Sequence, residues 1–534
     1  MIIPRAKSVI YKDGCLKFES LHLFCDGDGA SFAETYLSAF HKFGIEIVEK
    51  ENGADFVMHK NIRLRGNEYK LTVDSKIYIE YCGAEGLRNA LASLIQIIRQ
   101  DSGAYFIKCQ AVSDYSECEH RSVMIDLARG LPDFDRLKED IKRISLAKCN
   151  YLHLHLMDSK GICYESNVYS GDDINGTKRY PISAMKEINS FCAMLGITVI
   201  PEIEIPAHAH YLLRTHPEFK CRCGIENQST WCICAGNDAV FDFYKSLLEE
   251  IAQIFSGRYI HIGGDELCFN DYPQWNEFCH WDICDACKKR MTDNGLKDKY
   301  ELYCYVMNRI NEIVKSLGKT TIMWNDEIDV SKGTKLSKDI VIEYWRIANE
   351  NRGPRKGCSF DALLKRGFRV INGNYHKSYI DAEEYANPEK TASYSYLDYP
   401  YSESSANIIG AEVLAWQYGN PENVFYKLSF APCAILLLDK MWDCSDAVYN
   451  DEYRKSLSKL ILGLQTPDDC DIFEIFGSVM PPRTNEKTTY ATIGNELTDV
   501  ETLGKYSSYL EQISDTYSPL YMEEYKKIID LQRR

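Results

Sequence analysis

The segment RYIHIGGDE, Arg258–Glu266, is a short β-rich run that ends in two glycines and two adjacent acidic residues. It is one of eight such runs between about residue 119 and residue 416, most of them separated by longer stretches with helical patterning. This alternation is typical of parallel β/α units, and eight units in a span of this length predict an α/β fold of the (β/α)8 TIM barrel type. The strand candidates are Arg121–Leu127, Asn150–Leu156, Ile197–Ile203, Arg258–Gly263, Thr320–Trp324, Ile340–Trp345, Phe368–Asn372 and Gly410–Trp416.

The chain has 534 residues, more than a single hydrophobic core usually serves, so further domains are expected. Residues 1–115 contain a strand-like run, Lys70–Tyr81, and an amphipathic helix, Gly86–Arg99, which predict a small α/β domain. We expect the barrel to occupy residues 116–440 and a helical region to occupy residues 441–534. Helical patterns lie at Asp135–Lys148, Ile182–Leu195, Ala239–Phe255, Tyr300–Leu317, Glu422–Leu438 and Leu510–Arg533.

Polar and aromatic residues follow nearly every predicted barrel strand. The loops after the carboxyl ends of barrel strands converge on one mouth, where the active sites of such folds lie. The sequence therefore predicts an enzyme with a polar, aromatic-walled pocket. The residues at these strand ends are Asp126, Arg129, His153, His155, Asp158, Glu202, Glu204, His208, Asp265, Glu266, Trp324, Trp345 and Trp416.

The acid pair Asp265 and Glu266 is the sharpest of these signals. Successive side chains of a strand point to opposite faces, so the two acids can share a pocket only if Gly263 and Gly264 bend the chain. Two carboxylates in a partly dry pocket raise at least one pKa, which provides the protonated acid that leaving-group departure requires. The alternative interpretation is a solvated acidic loop.

Three tryptophans and several histidines have competing interpretations. Trp324, Trp345 and Trp416 at one mouth suit stacking against a sugar, although each alone is also typical of a core residue. His153 and His155 share a strand face and can simply be hydrogen-bonded inside the barrel. Together with Glu202, Glu204 and His208 they could also form a metal site, but they lack a compact ligand spacing.

Seven segments of the chain resemble glycoside hydrolase family 20, the β-N-acetylhexosaminidases, over roughly residues 60 to 440. The resemblance implies a catalytic (β/α)8 barrel preceded by a small α/β domain. The segments, in family order, are MIDLARGLP (Met124–Pro132), NYLHLHLMDSKG (Asn150–Gly161), VIPEIEIPAHA (Val199–Ala209), CAGN (Cys234–Asn237), YIHIGGDE (Tyr259–Glu266), IMWNDE (Ile322–Glu327) and YLDY (Tyr396–Tyr399).

The resemblance also implies a mechanism and a set of roles. The expected activity is retaining exo-hydrolysis of terminal β-linked GlcNAc or GalNAc from glycans, in which the substrate's 2-acetamido group replaces a protein nucleophile. Glu266 is then the acid/base, and Asp265 orients the acetamide. By similarity, the substrate-binding residues are Arg129 for sugar hydroxyls, Trp324, Trp345 and Trp416 as walls, Tyr396 and Asp398 near the acetamide, and Asp158 and His208 as a relay to the acid.

The chain departs from the family pattern at three places. Gly130 follows Arg129 where a histidine is common, and Ser159 follows Asp158 where a second acid is common. After Trp416 the expected Trp-x-Glu is Trp-Gln-Tyr, with Tyr418 in place of a carboxylate that receives sugar hydroxyls. These changes leave the substrate preference open.

Two other functions compete with the hexosaminidase. A double-displacement glycosidase would use a separate nucleophile such as Glu202 or Glu204, and a catalytically silent barrel would bind glycans without turnover. A substrate carrying N-acetylhexosamine is the expected partner, no cofactor is expected, and assembly into a homo-oligomer is left open.

The formal net charge of -16, with 62 basic and 78 acidic residues, makes nucleic acid and anionic membranes poor candidate partners. The chain starts MIIPRAKSVIYKDG, without the apolar segment of a signal peptide, and no later stretch is apolar enough to span a bilayer. We therefore expect a cytoplasmic protein.

The 21 cysteines are spread along a long chain and are expected to be reduced. Two C-x-C pairs, Cys221 with Cys223 and Cys232 with Cys234, lie close in sequence, and a C-x-x-C pair, Cys284 with Cys287, follows further on. One interpretation of the C-x-C pairs is a structural zinc site formed by Cys221, Cys223, Cys232 and Cys234. The alternative is that they are small buried side chains or a redox-sensitive pair.

Overall fold

The computed structural model describes residues 1–101, 104–174, 176–222, 231–267, 279–328, 334–346, 358–380, 405–416, 424–443, 449–463 and 471. Their strands form a mixed N-terminal sheet, a closed parallel barrel and a short two-stranded ribbon in the loop after the second barrel strand. The predicted fold, a (β/α)8 barrel preceded by a small α/β unit and followed by helix, is confirmed.

The N-terminal sheet is covered by the long helix Ala84–Ile97, whose residues from Gly86 to Gln96 are all buried. A second helix, Ala30–Ser38, and a 3-10 turn, Glu51–Gly53, complete this region. In spatial order the strands are Ser8–Phe18, Ala104–Asp114, Tyr69–Val73, Ile77–Tyr81, Phe56–Lys60, Ser20–Cys25 and Gly44–Ile47, and Arg99–Asp101 pairs with Ala104–Asp114.

The barrel closes because its seventh strand pairs in parallel with its eighth, and the eighth pairs in parallel with the first. Its residues are almost all buried, as expected for strands that are covered by helices outside and by packed side chains inside. The barrel strands, numbered here from first to eighth, are His120–Asp126, Tyr151–His155, Thr198–Glu202, Tyr259–His261, Thr320–Trp324, Val341–Tyr344, Val370–Asn372 and Ile408–Ala415.

Side-chain caps fix where several outer helices begin. Asp133 accepts hydrogen bonds from the backbone N–H groups of Asp135 and Arg136, and Asp298 caps the helix Lys299–Ser316 in the same way. The outer helices and turns are Phe134–Leu146, Ile182–Met194, His210–Thr215, Pro217–Phe219, Asp238–Ile254, Asp285–Asp293, Lys299–Ser316, Phe360–Lys365, Tyr375–Ser378, Ser405–Asn407, Val424–Trp442 and Asp451–Leu462. Short strands at Met157–Asp158, Gly161–Ile162 and Tyr379–Ile380 complete the described elements.

All eight predicted strands are present, and the differences have physical causes. The fourth strand ends at His261 because Gly263 already has a positive φ of 63° and leaves extended geometry. The run Lys70–Tyr81 is two antiparallel strands instead of one. The helical pattern at Leu510–Arg533 lies outside the described residues.

No helix in the described part of the chain combines the length and the apolar composition needed to cross a bilayer.

All 17 described cysteines are free thiols.

A buried ion pair joins the N-terminal sheet to the barrel. The ammonium group of Lys148 lies 2.8 Å from Oδ2 of Asp114, and both side chains are fully buried. Asp114 also accepts hydrogen bonds from Tyr69 and from the indole N–H of Trp442, at 2.9 and 3.0 Å. Burial lowers the pKa of Lys148, and the charge and hydrogen bond of Asp114 oppose that effect.

We expect Asp114→Ala to destabilise the protein by about 3–5 kcal/mol, because it leaves the ammonium group of Lys148 buried without its carboxylate. The measurement is the midpoint of thermal unfolding. Asp74→Ala is the matched control: Asp74 pairs with Lys12 at 2.8 Å, but the side chain of Asp74 is 48% exposed. A surface pair of this kind contributes about 0–1 kcal/mol. Equal decreases of the unfolding midpoint in the two variants would contradict the claim that the buried pair stabilises the protein more than the surface pair.

Candidate active site

The two acids after the fourth strand share one site because the chain turns sharply before them. Gly263 and Gly264 have φ values of 63° and 102°. A Cβ on Gly263 would overlap the carboxylate of Glu204, and one on Gly264 would lie 2.9 Å from the hydroxyl of Tyr303. Only glycine combines a positive φ with the absence of a Cβ, so the expectation that these two residues bend the chain is confirmed.

His208 lies at the centre of the site, on the loop after the third strand. Its Nδ1 is 3.2 Å from Oδ2 of Asp158, and its Nε2 is 3.3 Å from Oδ2 of Asp265 and 3.6 Å from Oε2 of Glu266. The backbones of His208 and Glu266 are both left-handed, with φ of 52° and 45°. Such conformations cost energy in residues with a Cβ and are concentrated at functional sites.

The surroundings separate the pKa values of the two acids. Burial raises the pKa of Asp265, but the positive charge and hydrogen bond of His208 outweigh it, and the pKa lies below its usual range. Burial also raises the pKa of Glu266, the charges of Asp265 and Asp326 raise it further, and the result lies above its usual range. One acid is therefore held ionised while its neighbour tends to keep its proton.

The positive charge of His208 is itself maintained by its partners. Burial lowers the pKa of this imidazole, but Asp265, Glu204 and Asp158 together hold it well above the ordinary value. Asp158 is ionised, since Arg129 and His208 lower its pKa against the effect of burial.

Arg129, from the loop after the first strand, lies beside this cluster. Its guanidinium group is 2.6 Å from Oδ2 of Asp158 and 3.3 Å from Oδ2 of Asp126, and it lies over the ring of Trp416 at 4.9 Å. Its side chain remains 28% exposed, so a ligand can contact it. The structure thus brings Arg129, Asp158, His208 and the acid pair together.

Aromatic rings line the side of the site formed by the later strands. Trp345 stacks on Tyr379 with ring centroids 6.0 Å apart, and Tyr379 contacts Trp416 at 5.9 Å. Trp324 lies deeper: it is 1% exposed, its N–H donates to Glu202 at 2.7 Å, and its ring is 6.1 Å from that of Trp416.

Three residues of the site were not singled out by sequence reasoning. Trp231 donates its indole N–H to the backbone carbonyl of Glu266 at 2.6 Å, and its ring lies 4.5 Å from that of His208. Asp326 accepts from the indole of Trp345 at 2.6 Å and from the backbone N–H of Glu266 at 3.3 Å. Tyr379 is the third. Two of them could have been found from the sequence: Asp326 lies in the motif IMWNDE, and Trp231 lies next to Cys232 of a C-x-C pair.

The histidines of the second strand are bonded inside the barrel. His153 lies 2.6 Å from Glu412 and 3.1 Å from Glu202, and His155 lies 2.8 Å from Asp126 and 3.0 Å from Glu204. Burial lowers the pKa of His155, but Asp126 and Glu202 raise it to about 10. These contacts match the interpretation of His153 and His155 as hydrogen-bonded interior residues.

Tyr396, Asp398 and Tyr418 lie outside the described residues, so their assignments stay predictions.

We expect Gly263→Ala to lower the stability of the protein more than Gly318→Ala does. Both glycines have positive φ, 63° and 73°, but a Cβ on Gly318 meets open space and one on Gly263 meets Glu204. The conformational cost alone is about 1–2 kcal/mol and is common to both variants. The readout is the thermal unfolding midpoint, and an equal shift in both would mean that the contact with Glu204 relaxes freely.

Comparisons with known proteins match both the barrel and the N-terminal region. The glycosyl hydrolase family 20 catalytic domain matches residues 118–422, and domain 2 of the same family matches residues 1–115. A beta-hexosaminidase of Porphyromonas gingivalis is 28% identical over 312 residues, which are 54% of this chain and 37% of that protein. A beta-hexosaminidase of Vibrio furnissii is 29% identical over 368 residues, 63% of this chain and 56% of that protein. The matched region thus spans only part of the length of these relatives.

A solved structure shares the fold. The exo beta-N-acetylglucosaminidase of Vibrio harveyi, crystallised in complex with N-acetylglucosamine, has a TM-score of 0.72 and 22% sequence identity, covering 86% of this chain and 75% of that one. Since the family's catalytic-domain match covers more than half of the sequence and coincides with the barrel, this chain belongs to glycosyl hydrolase family 20.

Proposed function

We propose that this protein is a β-N-acetylhexosaminidase that removes terminal β-linked GlcNAc or GalNAc from oligosaccharides or glycoconjugates with retention of configuration. One observation carries the proposal: two adjacent acids contact the same histidine, and their pKa values are shifted in opposite directions. Membership in family 20 and the names of the relatives support the same activity.

Glu266 is assigned the proton transfers. A carboxylic acid whose pKa is raised can protonate the glycosidic oxygen as the bond to C1 breaks, and the resulting carboxylate can then deprotonate water. Trp231 and Asp326 hold the backbone of Glu266 from its carbonyl and N–H sides. These contacts fix the position of Glu266, whose left-handed backbone conformation is energetically unfavourable.

Asp265 is assigned the orientation of the acetamide. An ionised carboxylate accepts the N–H of the 2-acetamido group, which aims the carbonyl oxygen at C1 and balances the positive charge that develops on the oxazolinium-like intermediate. The contact with His208 keeps Asp265 ionised, and the contact of His208 with Asp158 holds the imidazole in place.

Arg129 and the aromatic side chains are assigned to sugar binding. The exposed part of Arg129 can donate to hydroxyl groups, while Trp345 and Trp416 offer faces for the C–H surface of the ring. Tyr396 and Asp398 keep their proposed roles near the acetamide.

The double-displacement alternative is disfavoured by the surroundings of its candidate nucleophiles. Glu202 is fully buried among His153, His261 and Trp324. Glu204 is also fully buried and contacts His155 at 3.0 Å, and burial and the charge of Asp265 raise its pKa well above its usual range, which disfavours the anionic form that a nucleophile needs.

We expect Asp265→Asn to reduce kcat on an aryl N-acetyl-β-glucosaminide by about 10²–10³-fold, since charge compensation in the transition state is lost. Glu266→Gln should lose about 10²–10⁴-fold through the missing general acid. The control is Glu187→Gln, an exposed residue paired with Lys138 that should keep the wild-type rate.

The matching aryl glucoside, which lacks the 2-acetamido group, tests the nucleophile. The proposal expects no turnover of this substrate and inhibition by a thiazoline analogue of the oxazoline. Turnover of both aryl glycosides at similar rates would favour a protein nucleophile, and binding without any turnover would favour the silent barrel.

The pH profile of kcat/KM should report both acids. Activity should fall with rising pH as Glu266 loses its proton, above the ordinary range of a glutamate because its pKa is raised. It should fall with decreasing pH as Asp265 gains a proton, below the ordinary range of an aspartate because its pKa is lowered.

Asp326→Asn removes a negative charge that raises the pKa of Glu266, so its basic limb should move to lower pH. Asp361→Asn is the control, since Asp361 pairs with Lys365 on an outer helix. An unchanged basic limb in the Asp326 variant, or a shift to higher pH, would contradict the assignment of Glu266 as the acid.

A further inference from the structure

Four cysteines from three separate segments meet beside the barrel mouth, and we call them the thiol cluster. Cys221 follows the turn Pro217–Phe219, and Cys234 lies just before the helix Asp238–Ile254. The other two come from the C-x-x-C pair, in which Cys284 directly precedes the helix Asp285–Asp293 and Cys287 lies in its first turn. The thiol cluster consists of Cys221, Cys234, Cys284 and Cys287, all of them buried.

This set differs from the four cysteines of the C-x-C pairs that the sequence suggests as zinc ligands. Cys221 and Cys234 belong to the thiol cluster, but Cys232 does not and instead contacts Cys279. The C-x-x-C pair provides the other two thiols because the start of a helix brings both onto one side of the chain. Cys223 lies outside the described residues.

Three distances between sulfur atoms of the thiol cluster have the value expected of a tetrahedral metal centre. Sγ of Cys234 lies 3.8 Å from that of Cys284 and 3.7 Å from that of Cys287, and the sulfurs of Cys221 and Cys287 are 3.9 Å apart. With Zn–S bonds of about 2.3 Å, the sulfurs of a tetrahedral zinc centre lie about 3.8 Å apart. A disulfide would require about 2.0 Å.

We propose that the thiol cluster binds one structural zinc ion. Four thiolates complete a tetrahedron and leave no coordination position for water or substrate, which is the arrangement of structural sites. All four ligand atoms lie within 4.8 Å of one another, and none of them comes from a carboxylate or an imidazole. Soft sulfur ligands of this kind select zinc over magnesium, calcium or manganese.

The backbone around the thiol cluster is shaped for close approach. Gly236, two residues after Cys234, packs against the backbone of Ala286, inside the C-x-x-C pair, where any Cβ would overlap the chain. Arg290 donates to the carbonyl of Gly236 at 3.2 Å, which is a second contact between the helix Asp285–Asp293 and the segment after Cys234. This contact lets the two ligand pairs face each other across a short gap.

The zinc site would hold the segment that positions the catalytic acid. Ile233, next to Cys234, donates its backbone N–H to Pro206 at 3.0 Å and accepts from the indole of Trp281 at 2.8 Å. Two residues earlier, Trp231 donates to the carbonyl of Glu266 at 2.6 Å. The metal therefore acts as a remote anchor for Trp231, a positioning residue, and takes no part in the reaction.

The first test is metal content. The full chain, purified without added metal, should contain about one zinc per chain by elemental analysis. X-ray absorption at the zinc edge should show four sulfur ligands at about 2.3 Å. Less than a third of an equivalent of zinc, iron in its place, or nitrogen and oxygen ligands would overturn the proposal.

Variants locate the site. Cys284→Ser and Cys287→Ser should each lose most of the zinc, whereas Cys232→Ser, a buried cysteine of the same loop outside the thiol cluster, should retain one equivalent. Full zinc in both cluster variants would overturn the ligand assignment. Should the cluster variants not fold, the absorption measurement on the unaltered chain still decides.

Removing zinc from the unaltered chain with a chelator should lower the thermal unfolding midpoint, and adding zinc back should restore it, because the binding energy of a structural metal is folding energy. A midpoint that does not change after verified zinc loss would overturn the structural role. These readouts are independent of catalysis: an inactive chain that holds zinc would refute the hexosaminidase and leave the metal site intact.

Discussion

The charge on one imidazole organises the candidate active site. His208 contacts Asp158 through one ring nitrogen and the acid pair through the other, so its cationic form stabilises the ionised state of Asp265. Without that cation, burial would act to raise the pKa values of both acids. The chemical division between neighbouring acids therefore originates in the loop after the third strand, not in the fourth strand that carries them.

The arrangement depends on backbone shape as much as on charge. Two glycines turn the chain at the end of the fourth strand, and the carboxylate of Glu204 occupies the space that a side chain on Gly263 would need. The two left-handed residues of the site, Glu266 in this turn and His208 on the loop after the third strand, are held by hydrogen bonds and packing from neighbouring loops. The strain is thus balanced by contacts outside the acid pair itself.

The barrel and most of the site could be predicted from the sequence because both follow local rules. Each strand is a short apolar run, and residues such as Arg129, Asp158 and His208 come directly after one, so their convergence follows from the parallel order of the strands. Trp231 and Tyr379 could not be found in this way, since they reach the site from a long loop and from a short added strand. The set of neighbouring cysteines could not be found from sequence for a similar reason, because proximity in sequence favoured Cys232 while the fold brings Cys284 and Cys287 to Cys221 and Cys234.

Ion pairs link the barrel to the N-terminal sheet and to the helix that covers it. Lys148, in the barrel, sends its ammonium group to Asp114 of the N-terminal sheet, and Arg121 of the first barrel strand reaches Glu85 at 2.5 Å on the helix of that region. An excised barrel would present both cations, stripped of their counter-ions, on a surface shaped to exclude water. The N-terminal region therefore supplies the counter-ions of these barrel residues. Transplanting the catalytic unit into another protein would require transplanting the N-terminal region with it.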